Sequence, residues 1–184
     1  MSAPSAEPSL RLFVAAEIPD ETLRHIEAWQ QKTLAPVETL RLNYALHLTL
    51  AFLGDVPRTR LADLVARLGD VAVEPCPTAA DAVLFLPARG LKRVVALALA
   101  DHDGRLARLQ ADVSRVLAET GLYEPPGRPW LPHVTVARFR RPGHPFSLQN
   151  VNIPEFCVVR TVLYSSLLER AGAVHTPVAV FPAS

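Results

Sequence analysis

Two four-residue segments of this chain repeat one pattern of histidine, apolar residue, threonine and apolar residue. They are His47-Leu48-Thr49-Leu50 and His133-Val134-Thr135-Val136. Both lie in runs typical of β-strands, where side chains two positions apart share one face. In a helix, residues two apart do not face each other, so the spacing favours strands. We therefore predict that each histidine shares a strand face with the threonine of its own segment.

Histidines and threonines paired in this way can carry out acid–base chemistry at phosphorus. Histidine has an ordinary pKa of about 6.5, so one of His47 and His133 can take a proton from an attacking hydroxyl while the other protonates the leaving oxygen. In-line displacement puts those two oxygens on opposite sides of phosphorus. The hydroxyls of Thr49 and Thr135 can donate hydrogen bonds to the non-bridging oxygens. This chemistry requires no metal.

Two other interpretations of the repeated pattern are open at this point. A single His-x-Thr can be a cross-strand polar pair, although two copies separated by 133 − 47 = 86 residues, near half the chain, favour a shared function. Zinc binding is the second interpretation, and it needs a third ligand at suitable spacing. The remaining histidines form no HExxH or similar arrangement. We therefore expect neither a metal nor a cofactor.

Composition narrows the classes of protein to which the chain can belong. With 184 residues, 49% of them hydrophobic, and a net charge of +1, it is globular and lacks the basic field that a long nucleic-acid tract would need. A small anionic ligand or an RNA end fits better. Cys76 and Cys157 form no CxxC pair and are expected to be reduced. Without a signal-peptide pattern or a long apolar run, we expect a cytoplasmic protein with no membrane partner.

Apolar periodicity predicts an alternation of strands and helices. Helices are predicted over 21–34, with Asp20 as N-cap, over 58–70 and over 104–119. The predicted strands cover residues 10–18, 46–53, 83–86, 94–100, 132–139, 155–167 and 174–181, with Gly54-Asp55 ending the second and residues 169–172 turning between the last two. This order indicates an α+β protein of two sheets with helices packed outside. Residues 1–9 are predicted to be a disordered lead-in, and residues 10–184 a single domain.

The chain resembles the 2H phosphoesterase superfamily, and more narrowly the bacterial LigT-like RNA 2′,3′-cyclic phosphodiesterases of the 2′-5′ RNA ligase family. The matching segments are RLFVA (11–15) with Pro19, LHLTLAFLG (46–54), PHVTVAR (132–138) and LYSSLLERAGAVHTPVAVFP (163–182). They extend over nearly the whole chain. Val136 stands where the family commonly has leucine, which is a conservative change.

The resemblance implies a bilobal α+β fold, with two antiparallel β-sheets flanking a central cleft and helices on the outer faces. It implies hydrolysis of RNA 2′,3′-cyclic phosphate ends to 2′-phosphomonoesters, with His133 as base for water and His47 as acid for the 3′-oxygen. Thr49 and Thr135 would hold the phosphate. The reverse reaction would give 2′-5′ RNA ligation. The expected partners are RNA ends or nucleotides bearing a cyclic phosphate, bound by a monomer.

Three further residues are candidates for the cleft. Arg138 could grip the phosphate, but its offset of five from His133 puts it on the opposite face of a regular strand. It reaches the cleft only past a bulge or twist, and a structural ion pair is the alternative. Phe52 could stack on a nucleobase, but its odd offset from His47 favours core packing. His175 stands where the family often has an aromatic residue and is interpreted as a surface or packing residue.

Two other functions are compatible with the sequence. The chain could be an RNA-end binding module without turnover, although both histidines and both threonines are intact. Its substrate could also be a small cyclic nucleotide or a 2′,5′-linked RNA, because the loops that would choose among these cannot be positioned from sequence.

Overall fold

Ten strands and three α-helices form the part of the chain that the computed structural model describes, which is residues 7–148, 151–169 and 172–183. The strands are β1 (Ser9–Ala16), β2 (Leu40–Leu42), β3 (Leu48–Pro57), β4 (Cys76–Thr78), β5 (Ala80–Leu86), β6 (Lys92–Leu99), β7 (His133–Gly143), β8 (Phe156–Val158), β9 (Arg160–Glu169) and β10 (Gly172–Pro182). The helices are α1 (Asp20–Thr33), α2 (Leu61–Gly69), which follows a 3-10 turn at Arg58–Arg60, and α3 (Arg105–Glu119).

Eight of these strands form one antiparallel sheet. Its order is β10-β9-β1-β3-β7-β6-β5, and β2 pairs with β7 beside this path. Strands β4 and β8 form a separate two-stranded sheet. The α+β fold of antiparallel strands is confirmed. The two halves expected to flank a cleft meet at a single residue pair of β3 and β7, Leu48 with Val134, which makes them one continuous sheet.

The core lies between this sheet and the helices. Apolar residues of α3 recur every three or four positions, so that Leu106, Leu109, Val113 and Leu117 face inward and are buried. They join one hydrophobic cluster with inward-facing residues of α1, α2 and the strands. Burying a leucine side chain contributes roughly 1.5–3 kcal/mol to folding. The cluster covers one face of the sheet and leaves the other face for the cleft.

The helix starts differ from the simplest expectation. Asp20 was predicted as the N-cap of α1, and this is wrong, because Pro19 occupies that position and Asp20 begins the first turn. At α3, Gly104 adopts a φ of +75°, and the carboxylate of Asp101 accepts hydrogen bonds from the backbone N–H groups of Leu106 and Ala107. A side-chain acceptor five residues upstream therefore satisfies free donors of the first turn.

Strand boundaries also differ at several places. β3 does not end at Gly54 but continues to Pro57, because Gly54 takes a φ of +76° while its backbone pairs with Leu12. Strands β2 and β4 were not predicted, and each has three residues, too few to show a period. The predicted turn at residues 169–172 lies partly outside the described residues, as do residues 1–6 of the predicted lead-in. Ser9 already belongs to β1.

The two cysteines lie in neighbouring strands of the small sheet. Cys76 pairs with Val158 and is buried. Cys157 is half-buried, and its side chain lies on the other face of the small sheet. Both are free thiols. Among the described residues, no helix is long and apolar enough to cross a membrane.

Candidate active site

A cavity of about 450 Å³ opens on the sheet face opposite the helices. All six residues singled out for catalysis or substrate contact line it, namely His47, Thr49, Phe52, His133, Thr135 and Arg138. The structure therefore brings together two motifs that are 86 residues apart in the chain, 133 − 47.

The pairing of Leu48 with Val134 determines how the two motifs face each other. Each of these residues directly follows a histidine, so the antiparallel register sets each histidine opposite the threonine of the other motif. Leu48 and Val134 are fully buried on the helix side, which directs the polar side chains of both motifs into the cavity. His47 and His133 are thus diagonal neighbours with backbones about 7–8 Å apart.

A β-bulge in β3 brings Phe52 into the cavity. Ala15 of β1 pairs with Thr49 but Val14 pairs with Ala51, so Leu50 is the extra residue. The extra residue reverses the alternation beyond it. Phe52 therefore shares a face with Thr49 and is 48% exposed. The expectation of core packing, which assumed a regular strand, is wrong.

A matching bulge in β7 brings Arg138 into the cavity. Ala96 of β6 pairs with Thr135 but Val95 pairs with Ala137, so Val136 is the extra residue. The bulge that Arg138 needed in order to reach the cleft is present. Among the described residues, Arg138 forms no ion pair within 4 Å, which leaves its guanidinium available to an anion.

His47 lies among aromatic rings in the half of the site formed by β1, β3, β9 and β10. Its ring centroid is 5.0 Å from that of Phe13 and 5.4 Å from that of His175. Burial lowers the pKa of His47 to about 4, with smaller contributions in the same direction from the charges of His175, Arg138 and His133. In the free protein His47 is therefore neutral at pH 7.

The ring of His133 is oriented by the chain just before it. Its Nδ1 lies 2.8 Å from the carbonyl oxygen of Leu131. A hydrogen bond to a carbonyl requires the proton on Nδ1. In the neutral ring, Nε2 is then the atom that can accept a proton.

His175 lies inside the site, where it packs edge-on against two rings. Its ring is 4.8 Å from Phe13 and nearly perpendicular to His47. Its Nδ1 is buried and has no hydrogen-bond partner among the residues that the structure describes, and burial lowers its pKa. The interpretation as a surface or packing residue is right about packing but did not place it in the cavity. Ala173, two positions earlier on β10, lines the same cavity, as strand alternation requires.

Arg11 is a cavity residue that sequence reasoning did not single out for the site. Its guanidinium carbon lies 4.9 Å from the ring centroid of Phe52, a cation–π distance. It stands two positions before Phe13 on β1, so strand alternation could have placed both on the cleft face. Together Arg11 and Phe52 form a flat, positively charged surface at one end of the cavity.

No group of three metal-ligating side chains that could hold an ion occurs within the described ranges. The expectation that the protein uses neither metal nor cofactor remains a prediction, which a chelator can test.

The sequence itself matches a known family. The family model of the 2′-5′ RNA ligase superfamily matches residues 13–152, which include both motifs. The chain belongs to this superfamily. A protein of Archaeoglobus fulgidus named RNA 2′,3′-cyclic phosphodiesterase is 31% identical over 134 residues, which are 72% of this chain and 74% of that protein. A Thermus thermophilus protein of the same name is 34% identical over 145 residues, 73% of this chain and 71% of its own length.

Solved structures share the fold of this chain beyond the residues that the family model matches. The crystal structure of E. coli LigT complexed with 3′-AMP has a TM-score of 0.79 and 26% sequence identity to this chain. The match covers 96% of this chain and 99% of LigT. The similarity therefore includes β8, β9 and β10, which follow the segment matched by the family model.

Proposed function

We propose that this protein hydrolyses RNA 2′,3′-cyclic phosphate ends to 2′-phosphomonoesters, with His47 and His133 as a metal-independent acid–base pair. The observation that carries the proposal is the diagonal placement of the two histidines across one pair of strands. Each faces the threonine of the other motif within a single cavity. The names of the two relatives support the substrate class.

The reaction balances with these two groups alone. His133 takes a proton from water as the water oxygen attacks phosphorus, and the hydrogen bond from Nδ1 to the Leu131 carbonyl leaves Nε2 to receive it. The bond from phosphorus to the 3′-oxygen breaks, and His47 gives its proton to that oxygen. The product carries the phosphate on the 2′-oxygen and a hydroxyl on C3′. The reverse reaction, with a 5′-hydroxyl in place of water, would form a 2′-5′ linkage.

An acid role for His47 requires it to gain a proton when substrate binds. Its pKa of about 4 makes it neutral in the free site at pH 6. A phosphate anion favours the protonated ring and so raises this pKa. We expect uptake of about one proton per bound product or substrate analogue at pH 6, which calorimetry in buffers of different ionisation enthalpy measures. Binding without proton uptake would reverse the roles and make His47 the base.

The ends of the cavity contact different parts of the substrate. Arg138, exposed and free of ion pairs among the described residues, binds the cyclic phosphate or the neighbouring phosphate of the RNA. Phe52 with Arg11 above it offers a stacking surface to a nucleobase. An RNA end and a nucleotide both present these two groups. On a substrate that carries the cyclic phosphate but no nucleobase, Phe52 has nothing to stack on. We therefore expect that, on this substrate, Arg138→Gln raises KM more than Phe52→Leu does.

The test is turnover of an oligonucleotide that ends in a 2′,3′-cyclic phosphate. Removing a general acid or base typically costs 10²–10⁴-fold, so His47→Ala and His133→Ala should each fall by that amount. His25→Ala, on the exposed side of α1, is the matched control and should keep wild-type turnover. A binding module would bind the oligonucleotide and give no product with the wild-type chain. Turnover unchanged by a chelator would support the metal-independent mechanism.

Parallel measurements on cyclic mononucleotides and 2′,5′-linked RNA compare the remaining substrate classes. A higher kcat/KM for the oligonucleotide would support RNA ends as the substrate.

A further inference from the structure

Side-chain hydrogen bonds hold both motif bulges, and they do so at equivalent atoms. The carbonyl oxygen of Thr49, just before the extra residue of β3, accepts a hydrogen bond of 3.1 Å from Nε1 of Trp130. The carbonyl oxygen of Thr135, just before the extra residue of β7, accepts one of 2.8 Å from Nδ2 of Asn43. Each catalytic threonine is thus held through its backbone by a side chain from a loop.

The extra residues themselves are held from the helix side. Nε2 of Gln110 on α3 donates to the carbonyl of Leu50 at 3.3 Å. Nε2 of Gln30 on α1 donates to the carbonyl of Val136 at 2.6 Å, and the backbone N–H of Asn43 donates to the same oxygen at 2.9 Å. A bulge disrupts the strand ladder and leaves its extra residue unpaired. These donors supply hydrogen bonds at those positions.

The loop donors cross between the two halves of the site. Trp130 lies three residues before His133, yet it bonds the first motif. Asn43 lies four residues before His47, yet it bonds the second motif. Each motif is therefore held by the segment that leads into the other motif.

We infer that Trp130 and Asn43 are positioning residues, each of which fixes the bulge of the motif in the opposite half of the site. The inference rests on the proposed function for its catalytic consequence. Loss of a bulge, in which the extra residue enters regular pairing, shifts the register by one residue and moves the following side chains to the other face of the sheet. Such a shift in β3 would withdraw Phe52 from the cavity, and in β7 it would withdraw Arg138. The two hydrogen bonds, together with those from the helix side, keep each bulge in place.

Trp29 provides a control within the same protein. Its Nε1 is buried and has no hydrogen-bond partner in the described part of the chain, and its ring packs against the core. Replacing Trp29 by Phe removes an indole N–H group and part of a ring, as in Trp130→Phe, but breaks no hydrogen bond to either motif. A difference between the two variants therefore reports the bond to Thr49.

The experiment combines kinetics with backbone NMR on the full chain. For Trp130→Phe we expect chemical-shift changes at the backbone amides of residues 50–52 and at the ring resonances of His47. We also expect kcat to fall about five- to tenfold, which is the effect of losing one positioned hydrogen bond. KM should change less than kcat, because the variant keeps every cavity side chain. Trp29→Phe should leave both the motif amides and kcat at wild-type values.

The second arm replaces Asn43 by Ala. In this variant the amide shifts should appear at residues 136–138, which belong to the second motif and its strand, although Asn43 precedes the first motif in the sequence. Shifts confined to residues 128–132 in Trp130→Phe and to residues 41–47 in Asn43→Ala would overturn the inference. Equal loss of kcat in Trp29→Phe and Trp130→Phe would also overturn it. If the wild-type chain showed no hydrolysis, the proposed function would fail, and the amide shifts would still test the crossed contacts.

Discussion

Lowering the pH should destabilise this protein through His47. Its pKa lies at about 4 instead of 6.5, first because it is buried and then because of smaller electrostatic contributions from His175, Arg138 and His133. The unfolded chain binds this proton with the ordinary pKa, so between pH 6.5 and pH 4 the unfolded state holds more protons. The contribution of His47 to stability is therefore complete above pH 6.5 and is lost as the pH falls towards 4.

The size of the loss follows from the two pKa values. Between pH 7.5 and pH 4.5 the linkage amounts to about 1.8 pKa units, or about 2.5 kcal/mol at about 1.36 kcal/mol per unit. In a protein of this length 1 kcal/mol shifts Tm by about 2–4 °C, so the loss corresponds to about 5–10 °C. His47→Gln removes the titrating group. Between pH 7.5 and pH 4.5 the variant should therefore lose less free energy of unfolding than the wild type does, by this amount.

Urea unfolding followed by circular dichroism at pH 7.5 and pH 4.5 measures this difference. Groups distant from His47 titrate alike in the wild type and in His47→Gln, so the difference between the two reports His47 together with its coupling to the neighbouring histidines. His25→Gln, exposed on α1, serves as the control and should follow the wild type. The same loss of stability in the wild type and in His47→Gln would refute the reasoning.

Three further outcomes are expected. His175→Phe removes the second largest cause of the low pKa of His47 and should raise it; an unchanged imidazole titration by NMR would contradict this. Leu106→Ala, at a fully buried position, should lower the free energy of unfolding by about 2–5 kcal/mol in urea titrations and leave KM unchanged. Burial raises the pKa of Cys76 to about 11, so iodoacetamide at pH 8 should label Cys157 first, as mass spectrometry would record.

The central residues of the site could be predicted because they depend on a local period. His47 with Thr49, and His133 with Thr135, need only a strand to share a face. That the two histidine–threonine pairs lie together in one site could be predicted only from the repeated pattern and the resemblance to a known family. The α+β alternation of strands and helices followed from apolar periodicities, whereas the antiparallel sheet was implied by the family resemblance, and both are confirmed.

Residues beyond the bulges could not be placed in this way. Phe52 and Arg138 both stand five positions after a histidine, and a regular strand would turn them to the core side. Leu50 and Val136 reverse that alternation, but each is an ordinary apolar strand residue with nothing in its type to mark it as extra. The donors that hold the bulges come from loops and helices distant in sequence. His175 was placed outside the site for a similar reason, since its position depends on strand pairing.

The single residue pair between the halves has a mechanical consequence. Leu48 and Val134 are the points at which one half could rotate against the other, and the two histidines stand next to that axis. A small rotation would displace them little, because displacement grows with distance from the axis. The edge strands β10 and β5 lie farthest from this axis and would move most. The cleft could therefore widen for substrates of different bulk while the separation between proton donor and acceptor stays nearly constant.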